Sequence, residues 1–182
     1  MSAELVSKIK RVEAATREIL RHEFPDHAVR ESTPKQDKED HIDFFMENTK
    51  DGTVKSIDMK WIGTAYLYFE YKTRSDKPAS LFGKEDVILF AMSHGDEWYW
   101  FDRAKAAEQI ESMLDDERRK RVTQGEFLEM YPEGSREYRL YVADSGKTLV
   151  RFKLEDMEGT YYKTPNLFRK YPYIYSKAFY ED

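Results

Sequence analysis

Hydrophobic positions in the first 24 residues recur at intervals of three and four, which is typical of an amphipathic helix. The stripe runs through Leu5, Ile9, Val12, Thr16, Ile19 and Leu20. Pro25 follows residues 3–24 directly, at a point where a helix ends easily. Residues 27–38 are polar and contain Pro34, so we expect an irregular connection there.

Alternation of apolar and polar residues then predicts three strands in close succession, over residues 40–49, 53–62 and 65–73. The first two are separated by Lys50-Asp51-Gly52-Thr53, and Asp-Gly is among the strongest short signals for a β-hairpin. We therefore expect these three strands to form an antiparallel meander.

Further strands are predicted over residues 86–92 and 97–101, and Asp102 is a suitable N-cap for a helix that continues to about residue 121. A second hairpin is predicted around Asp144-Ser145-Gly146, because the residues on both sides of this turn alternate. The aromatic tail, residues 165–182, has no clear period.

These elements predict an α/β fold with a mixed central β-sheet, an antiparallel meander flanked by helices, and a C-terminal β-rich extension. The length of 182 residues suits a single domain over 1–182. We place its core at about 3–122 and the extension at about 123–182.

Composition excludes several classes of protein. The chain contains no cysteine, which rules out disulfides and thiolate zinc sites. Its start is charged throughout and lacks the apolar core of a signal peptide, and no stretch approaches the ~18 apolar residues of a membrane span. We therefore expect a cytoplasmic protein that does not associate with membranes.

Charged residues converge in the first predicted hairpin. Alternation places Asp58 and Lys60 on one face of their strand and the apolar Ile57, Met59 and Trp61 on the other. If Asp51-Gly52 is a two-residue loop, Asp43 lies opposite Lys60, so that Asp43, Asp58 and Lys60 share one face.

Two neighbouring carboxylates repel each other unless a cation lies between them. Oxygen ligands of this kind suit Mg²⁺ or Mn²⁺, and a nearby lysine stabilises charge on a phosphate. The alternative is an ordinary cross-strand salt bridge on a solvated sheet face.

The segment DKEDHIDFFMENTKDGTVKSIDMKWI resembles the core of the PD-(D/E)xK superfamily, which contains the restriction-endonuclease-like and resolvase-like nucleases. Asp43 matches the first acid and Asp58-Met59-Lys60 matches the D-x-K, although Ile42 stands where the family name implies proline. The resemblance covers about residues 3–122. It implies metal-dependent hydrolysis of DNA by a homodimer, with Mg²⁺ or Mn²⁺ held by Asp43 and Asp58 and with Lys60 assisting.

The resemblance also implies a further carboxylate from the first helix, and Glu13, at the edge of the apolar stripe, is the preferred candidate. Glu70 is a candidate either for a further ligand or for orienting the attacking water. His41 is a candidate for a phosphate contact or a ligand, and Lys72 for a contact with the DNA backbone. Each of these has an ordinary surface role as its alternative.

The net charge of −5 is not typical of a nucleic-acid-binding domain, although a metal-dependent nuclease needs carboxylates at its centre. Two other functions therefore stay open: a nuclease-fold module that binds without cutting, and a nuclease that acts on RNA. The tail aromatics, interleaved with Lys170 and Lys177, are candidates either for stacking on bases or for packing on the sheet.

Overall fold

The computed structural model describes residues 2–64, 66–135 and 137–180. The helices are α1 (Ala3–Glu23), α2 (Pro34–Asp40), α3 (Arg103–Met113), α4 (Asp116–Arg119), α5 (Gln124–Met130), α6 (Leu167–Lys170) and α7 (Pro172–Tyr180). The strands are β1 (His27–Glu31), β2 (Phe44–Asn48), β3 (Val54–Ile62), β4 (Leu67–Lys72), β5 (Val87–Met92), β6 (Glu97–Asp102), β7 (Val122–Thr123), β8 (Tyr141–Val142), β9 (Thr148–Phe152) and β10 (Tyr161–Pro165). Short 3₁₀ turns lie at Ser80–Phe82 and Leu154–Met157.

The strands form two sheets. The six-stranded sheet has the order β1-β2-β3-β5-β6-β10, in which β1 and β2 pair in antiparallel fashion, as do β2 and β3, whereas β3 and β5 are parallel. The four-stranded sheet has the order β4-β9-β8-β7 and contains both antiparallel and parallel pairs. Mixed sheets flanked by helices confirm the predicted α/β class.

The described residues divide into two compact units that alternate along the chain. The first contains the described residues within Met1–Gly63, Glu85–Trp100 and Tyr162–Asp182, and the second contains those within Thr64–Lys84 and Phe101–Tyr161. These boundaries differ from the predicted division at residue 122, and a single domain over 1–182 stays a prediction. Among the described helices, none is both long enough and apolar enough to cross a membrane.

The core of the first unit lies where α1 and α6 pack on one face of the six-stranded sheet. The predicted stripe of α1 supplies Val12, Ile19 and Leu20, and β2 and β3 supply the alternating set Phe44, Met46, Ile57 and Met59. Because successive residues of a strand point to opposite faces, this packing leaves Asp58 and Lys60 on the other face of β3.

The second unit has its own core, in which buried aromatic and aliphatic side chains from β4, β9 and α5 meet. Arg151 is buried there beside two rings, 4.2 Å from the centroid of Tyr66 and 4.7 Å from that of Phe127. The predicted second hairpin is confirmed, since β8 pairs with β9 in antiparallel fashion. Helix α3 starts after Asp102 as predicted but ends at Met113, and Asp115 then caps the separate helix α4.

The three strands that form the meander are not the three that were predicted to form it. The antiparallel meander consists of β1, β2 and β3, whereas β4 pairs with β9 in the other sheet. Ser56 N and Oγ both donate to Asp86 Oδ2 at 2.9 and 3.1 Å, and Ser93 N donates to Ile62 O at 2.8 Å. These bonds align β5 with β3. As a result β5 lies beside β3, where the sequence predicted the strand over residues 65–73. Ala65, where the third predicted strand begins, lies outside the described residues.

The expected irregular connection at 27–38 is also wrong, since it contains β1 and the start of α2. Thr33 and Gln36 form a reciprocal capping box around the first turn of α2, and Pro34 occupies a position where its missing N–H costs nothing. Pro34 therefore starts a helix here, and does not break one.

The tail contains the last residue of β10 and the helices α6 and α7, where no periodic element was predicted. Asn166 is buried and joins the tail to the turn after β5: its Nδ2 donates to Met92 O and Gly95 O at 3.1 and 3.0 Å, and its Oδ1 accepts from Phe168 N. These are long-range contacts, so no local pattern shows them. The last two positions of the tail lie outside the described residues.

We expect Asn166→Ala to lower the free energy of unfolding by about 2–3 kcal/mol, because three hydrogen bonds are lost and buried partners stay unsatisfied. Urea unfolding measures the change. Lys163→Ala, which removes an exposed ion pair with Glu97 in the strand just before Asn166, is the control and should cost less than about 1 kcal/mol. Equal effects of the two substitutions would contradict this role for Asn166.

Candidate functional site

The first hairpin is closed by a four-residue connection, and not by the predicted two-residue loop. Asn48 N donates to Thr53 O, and Gly52 N donates to Asn48 O, both at 2.8 Å, with Gly52 in the left-handed region at φ +76°. Each residue of β2 therefore pairs two positions earlier in β3 than predicted, with Phe45 opposite Ser56. The prediction that Asp43 lies opposite Lys60 is wrong. A shift by an even number of residues keeps the same faces together, and continuing this register brings Asp43 level with Asp58.

Asp43 is held rigidly at the residue before β2. Its N–H donates to Ile57 O at 2.8 Å, and its carboxylate Oδ2 accepts from Met59 N at 2.6 Å. Its carbonyl oxygen accepts from both the N–H and the hydroxyl of Ser32 at 3.3 and 3.0 Å. The side chain is thereby fixed against β3 at the position of the D-x-K motif.

Asp58 and Lys60 lie in the middle of the six-stranded sheet, between β2 and β5. Asp58 is only 4% exposed, and its Oδ2 lies 3.1 Å from Lys60 Nζ. That contact has the distance of an ion pair but not the angles of a hydrogen bond, since Asp58 Oδ2 accepts no hydrogen bond from the described residues. A buried carboxylate oxygen in this state has a lone pair available to a further cation.

The carboxyl groups of Asp43, Asp58 and Glu13 act on one another electrostatically. Burial, together with the nearby charges of Asp58 and Glu13, raises the pKa of Asp43 to about 9, although the hydrogen bond from Met59 N opposes the shift. Burial and the charges of Asp37 and Asp58 likewise raise the pKa of Glu13, which Arg17 partly offsets. The fold thus places Glu13, which was predicted from the edge of the helical stripe, within electrostatic reach of Asp43 and Asp58.

A cavity of about 330 Å³ opens beside this acidic cluster. Glu13, Asp37 and Asp43 line it together with the basic side chains of Lys10 and Arg17. Asp37 was not predicted as a site residue. It lies in the first turn of α2, and the Thr33–Gln36 capping box was a signal in the sequence that this helix begins there.

The structure gives the remaining predicted residues other positions than those expected. His41 is not in a strand: it is the left-handed C-cap of α2, with φ 59°. Glu70 and Lys72 belong to the second unit, where Glu70 pairs with Lys147 at 3.1 Å and Lys72 with Asp76 at 3.5 Å.

Asp43 and Asp58 are the residues that suit a hard divalent cation. Both supply carboxylate oxygens, Asp58 Oδ2 is buried with an ion pair to Lys60 but no hydrogen bond from the described residues, and a cation would offset the burial and the carboxylate charges that raise the pKa of Asp43. Across the part of the chain that the structure describes, no group of three or more His, Asp or Glu side chains is arranged to hold a metal ion. Solvent and substrate oxygens would have to complete the ligands, as is usual for Mg²⁺.

Comparison of the chain with protein-family models, with curated proteins and with solved structures found no match. The function therefore has to be inferred from the residues and their geometry.

Proposed function

We propose that this protein is a divalent-metal-dependent endonuclease of the PD-(D/E)xK type that hydrolyses phosphodiester bonds of DNA. The observation that supports the proposal is the position of Asp43 against Asp58, with Lys60 Nζ 3.1 Å from the Asp58 carboxylate. A helix, an antiparallel meander and a parallel neighbour to the strand of the D-x-K accompany this pair.

In this proposal Asp43 and Asp58 hold Mg²⁺ or Mn²⁺, with Glu13 next to them. The bound ion would supply charge for the phosphate and a lower pKa for an attacking water. The hydrogen bond from Met59 N keeps the Asp43 carboxylate at one orientation, so little reorganisation is needed during the reaction. Lys60 contributes a fixed positive charge beside the phosphate, where negative charge increases in the transition state.

The proposed substrate is duplex or branched DNA, cut by a homodimer in the cytoplasm; RNA is the alternative substrate. Lys10 supports a phosphate-bearing substrate, because it brings positive charge to the cavity that contains Glu13 and Asp43, whereas the charge of Arg17 there is paired with Glu31 at 2.7 Å.

A module that binds nucleic acid without cutting it is the second candidate. It is favoured by the ion pair between Lys60 and Asp58, which already balances one carboxylate without a metal. It is also favoured by the net charge of −5, which is atypical of an enzyme that must approach DNA phosphates.

The test is incubation with supercoiled plasmid, a four-way junction and single-stranded RNA, each with Mg²⁺, with Mn²⁺ or with chelator. Cleavage of a DNA substrate that requires metal supports the proposed endonuclease. Cleavage of RNA alone assigns the same site to an RNA-directed enzyme. Binding without cleavage under every condition would contradict the enzyme and support the module.

A further inference from the structure

A second cavity of the first unit, of about 420 Å³, lies where β3 and β5 end. Four aromatic side chains and two polar ones line it: Trp61, Tyr175, Phe179, Tyr180, Ser93 and His94. Its volume falls within the range of roughly 300–1,000 Å³ that is usual for small-molecule sites. Proteins with parallel strands commonly bind their ligands just beyond the carboxyl ends of those strands, and Ser93 and His94 lie at such a position.

This aromatic cavity is distinct from the acidic site. Trp61 is three residues after Asp58 in β3, about 10 Å along the strand, and alternation directs it to the opposite face of the sheet. Its ring packs against the buried core that contains Met59, which confirms that face. The aromatic cavity and the acidic site are therefore separate places on the first unit.

Three of the lining rings pack edge to face against one another. Trp61 meets Phe179 edge to face, with centroids 5.7 Å apart, and Phe179 meets Tyr180 edge to face at 4.8 Å. Tyr180 is 76% exposed, so part of its surface is available to a ligand. Ser93 Oγ donates to Ile62 O at 3.2 Å and keeps its acceptor lone pairs for an N–H donor such as the amino group of a base.

Charge decides between the two ligands that an aromatic cavity commonly takes, a cation and a flat neutral ring. Lys8 Nζ lies over Phe179, 3.8 Å from its centroid, so a positive charge already occupies one face of that ring. None of the described residues that line the cavity is acidic. A cationic ligand would be repelled, whereas a neutral ring that carries a phosphate would gain from Lys8.

We propose that this cavity binds the base of a nucleotide, with the base stacked among Trp61, Tyr175 and Phe179 and the phosphate near Lys8. Base stacking on aromatic side chains tolerates any of the four bases, so the site would be insensitive to sequence. Both a free mononucleotide and an unpaired nucleotide in a strand carry this chemistry.

The test is titration of the full chain with adenosine monophosphate in chelator, followed by tryptophan fluorescence and calorimetry. Trp98 and Trp100 are almost fully buried, so a ligand at the cavity should quench Trp61 selectively. Adenosine should bind several-fold more weakly than its monophosphate, and ribose 5-phosphate should not bind. A single-stranded hexanucleotide that binds more than tenfold more tightly than the mononucleotide identifies a strand as the source, and equal affinity identifies the free nucleotide.

Phe179→Leu should weaken nucleotide binding about tenfold, because one stacking surface is lost. Tyr173→Leu is the matched control, since Tyr173 lies in the same helix but is 85% exposed and does not line the cavity. Lys8→Gln should weaken the monophosphate several-fold and leave adenosine unchanged. If circular dichroism shows that Phe179→Leu is unfolded, Tyr180→Ala replaces it.

Three results would overturn the proposal: no binding of mononucleotide or hexanucleotide at millimolar concentration, tighter binding of tetramethylammonium than of the nucleotide, or equal losses in Phe179→Leu and Tyr173→Leu. Because every measurement is made in chelator, absence of binding here would leave the proposed cleavage at Asp43 and Asp58 unaffected. Absence of cleavage would likewise leave this site unaffected.

Discussion

Asp58→Asn is expected to reduce metal-dependent DNA cleavage by at least about a hundredfold while the protein stays folded. The amide has the same shape as the carboxylate, so the packing of β3 between its neighbours is kept. It lacks the negative charge that would hold the cation, and loss of one electrostatic contributor at a reaction centre typically costs about 10²–10³ in rate. Plasmid nicking with Mn²⁺ measures the effect.

Two controls separate this effect from a general loss of acidic charge. Asp51→Asn makes the same change in the turn of the same hairpin, where Asp51 only accepts from Thr53, and should cleave like the wild type. Glu70→Gln alters Glu70-Tyr71-Lys72, which has the same spacing of acid and lysine as Asp58-Met59-Lys60, and should also be active, because Glu70 pairs with Lys147.

Binding should respond differently from cleavage. Removing the Asp58 charge takes a negative group away from the DNA backbone, so affinity in chelator should stay the same or increase. An Asp58→Asn protein that cleaves as well as the wild type would show that the site is wrong. If Glu70→Gln is the inactive variant, the catalytic carboxylate belongs to the second unit.

Asp43→Asn is expected to make the metal-free protein more stable, and increasingly so as the pH rises. The pKa of Asp43 is about 9 in the folded protein against 3.8 for an unperturbed aspartate. Between these values the folded chain binds a proton that the unfolded chain has lost, so the free energy of unfolding falls as pH rises through this window. Below pH 3.8 this stability is fully present.

The asparagine side chain does not titrate in this pH range, and its oxygen still accepts the hydrogen bond from Met59 N. The difference in free energy of unfolding between variant and wild type should therefore grow from pH 4 to pH 9 and exceed about 1 kcal/mol at pH 8, since one pKa unit corresponds to about 1.4 kcal/mol. Urea unfolding in chelator at several pH values measures it. A difference that is constant with pH would contradict the raised pKa of Asp43.

Added metal provides the complementary measurement. Millimolar Mg²⁺ or Mn²⁺ should raise the melting temperature of the wild type at pH 8, because an ion that binds only the folded state stabilises it. The same addition should leave Asp43→Asn nearly unchanged. Glu13→Gln should also reduce the stabilisation by metal, but less than Asp43→Asn does, since the positive charges of Arg17 and Lys10 already offset part of the charge of Glu13.

Local patterns were sufficient for part of this structure. The stripe of α1 is visible because a buried helix face repeats every three to four residues, and the core face of β2 and β3 is visible because strands alternate with period two. The same alternation separates Asp58 and Lys60 from Met59. It survives the error in the turn, because the observed register differs from the predicted one by an even number of residues.

The neighbours of each strand were decided by tertiary contacts. The turn at Ile62-Gly63-Thr64 carries no signal for register, and β3 is aligned with β5 by the bonds between Ser56 and Asp86, which are 30 residues apart in the chain. Hydrogen bonds of this range leave no periodicity in the sequence, so the place of β4 in another sheet was not predictable from its own residues.

The candidate site shows the same division. The sequence by itself determined the chemical types in the hairpin and the faces that they occupy, because both follow from residue identity and strand period. Only the tertiary structure decided that Asp43 reaches Met59 N and that Glu13 and Asp37 line one cavity beside it, while Glu70 and Lys72 belong to another unit. The physical reason is that the electrostatic interaction of carboxyl groups depends on their separation and burial in space, and these are set by how α1, α2 and the hairpin pack together.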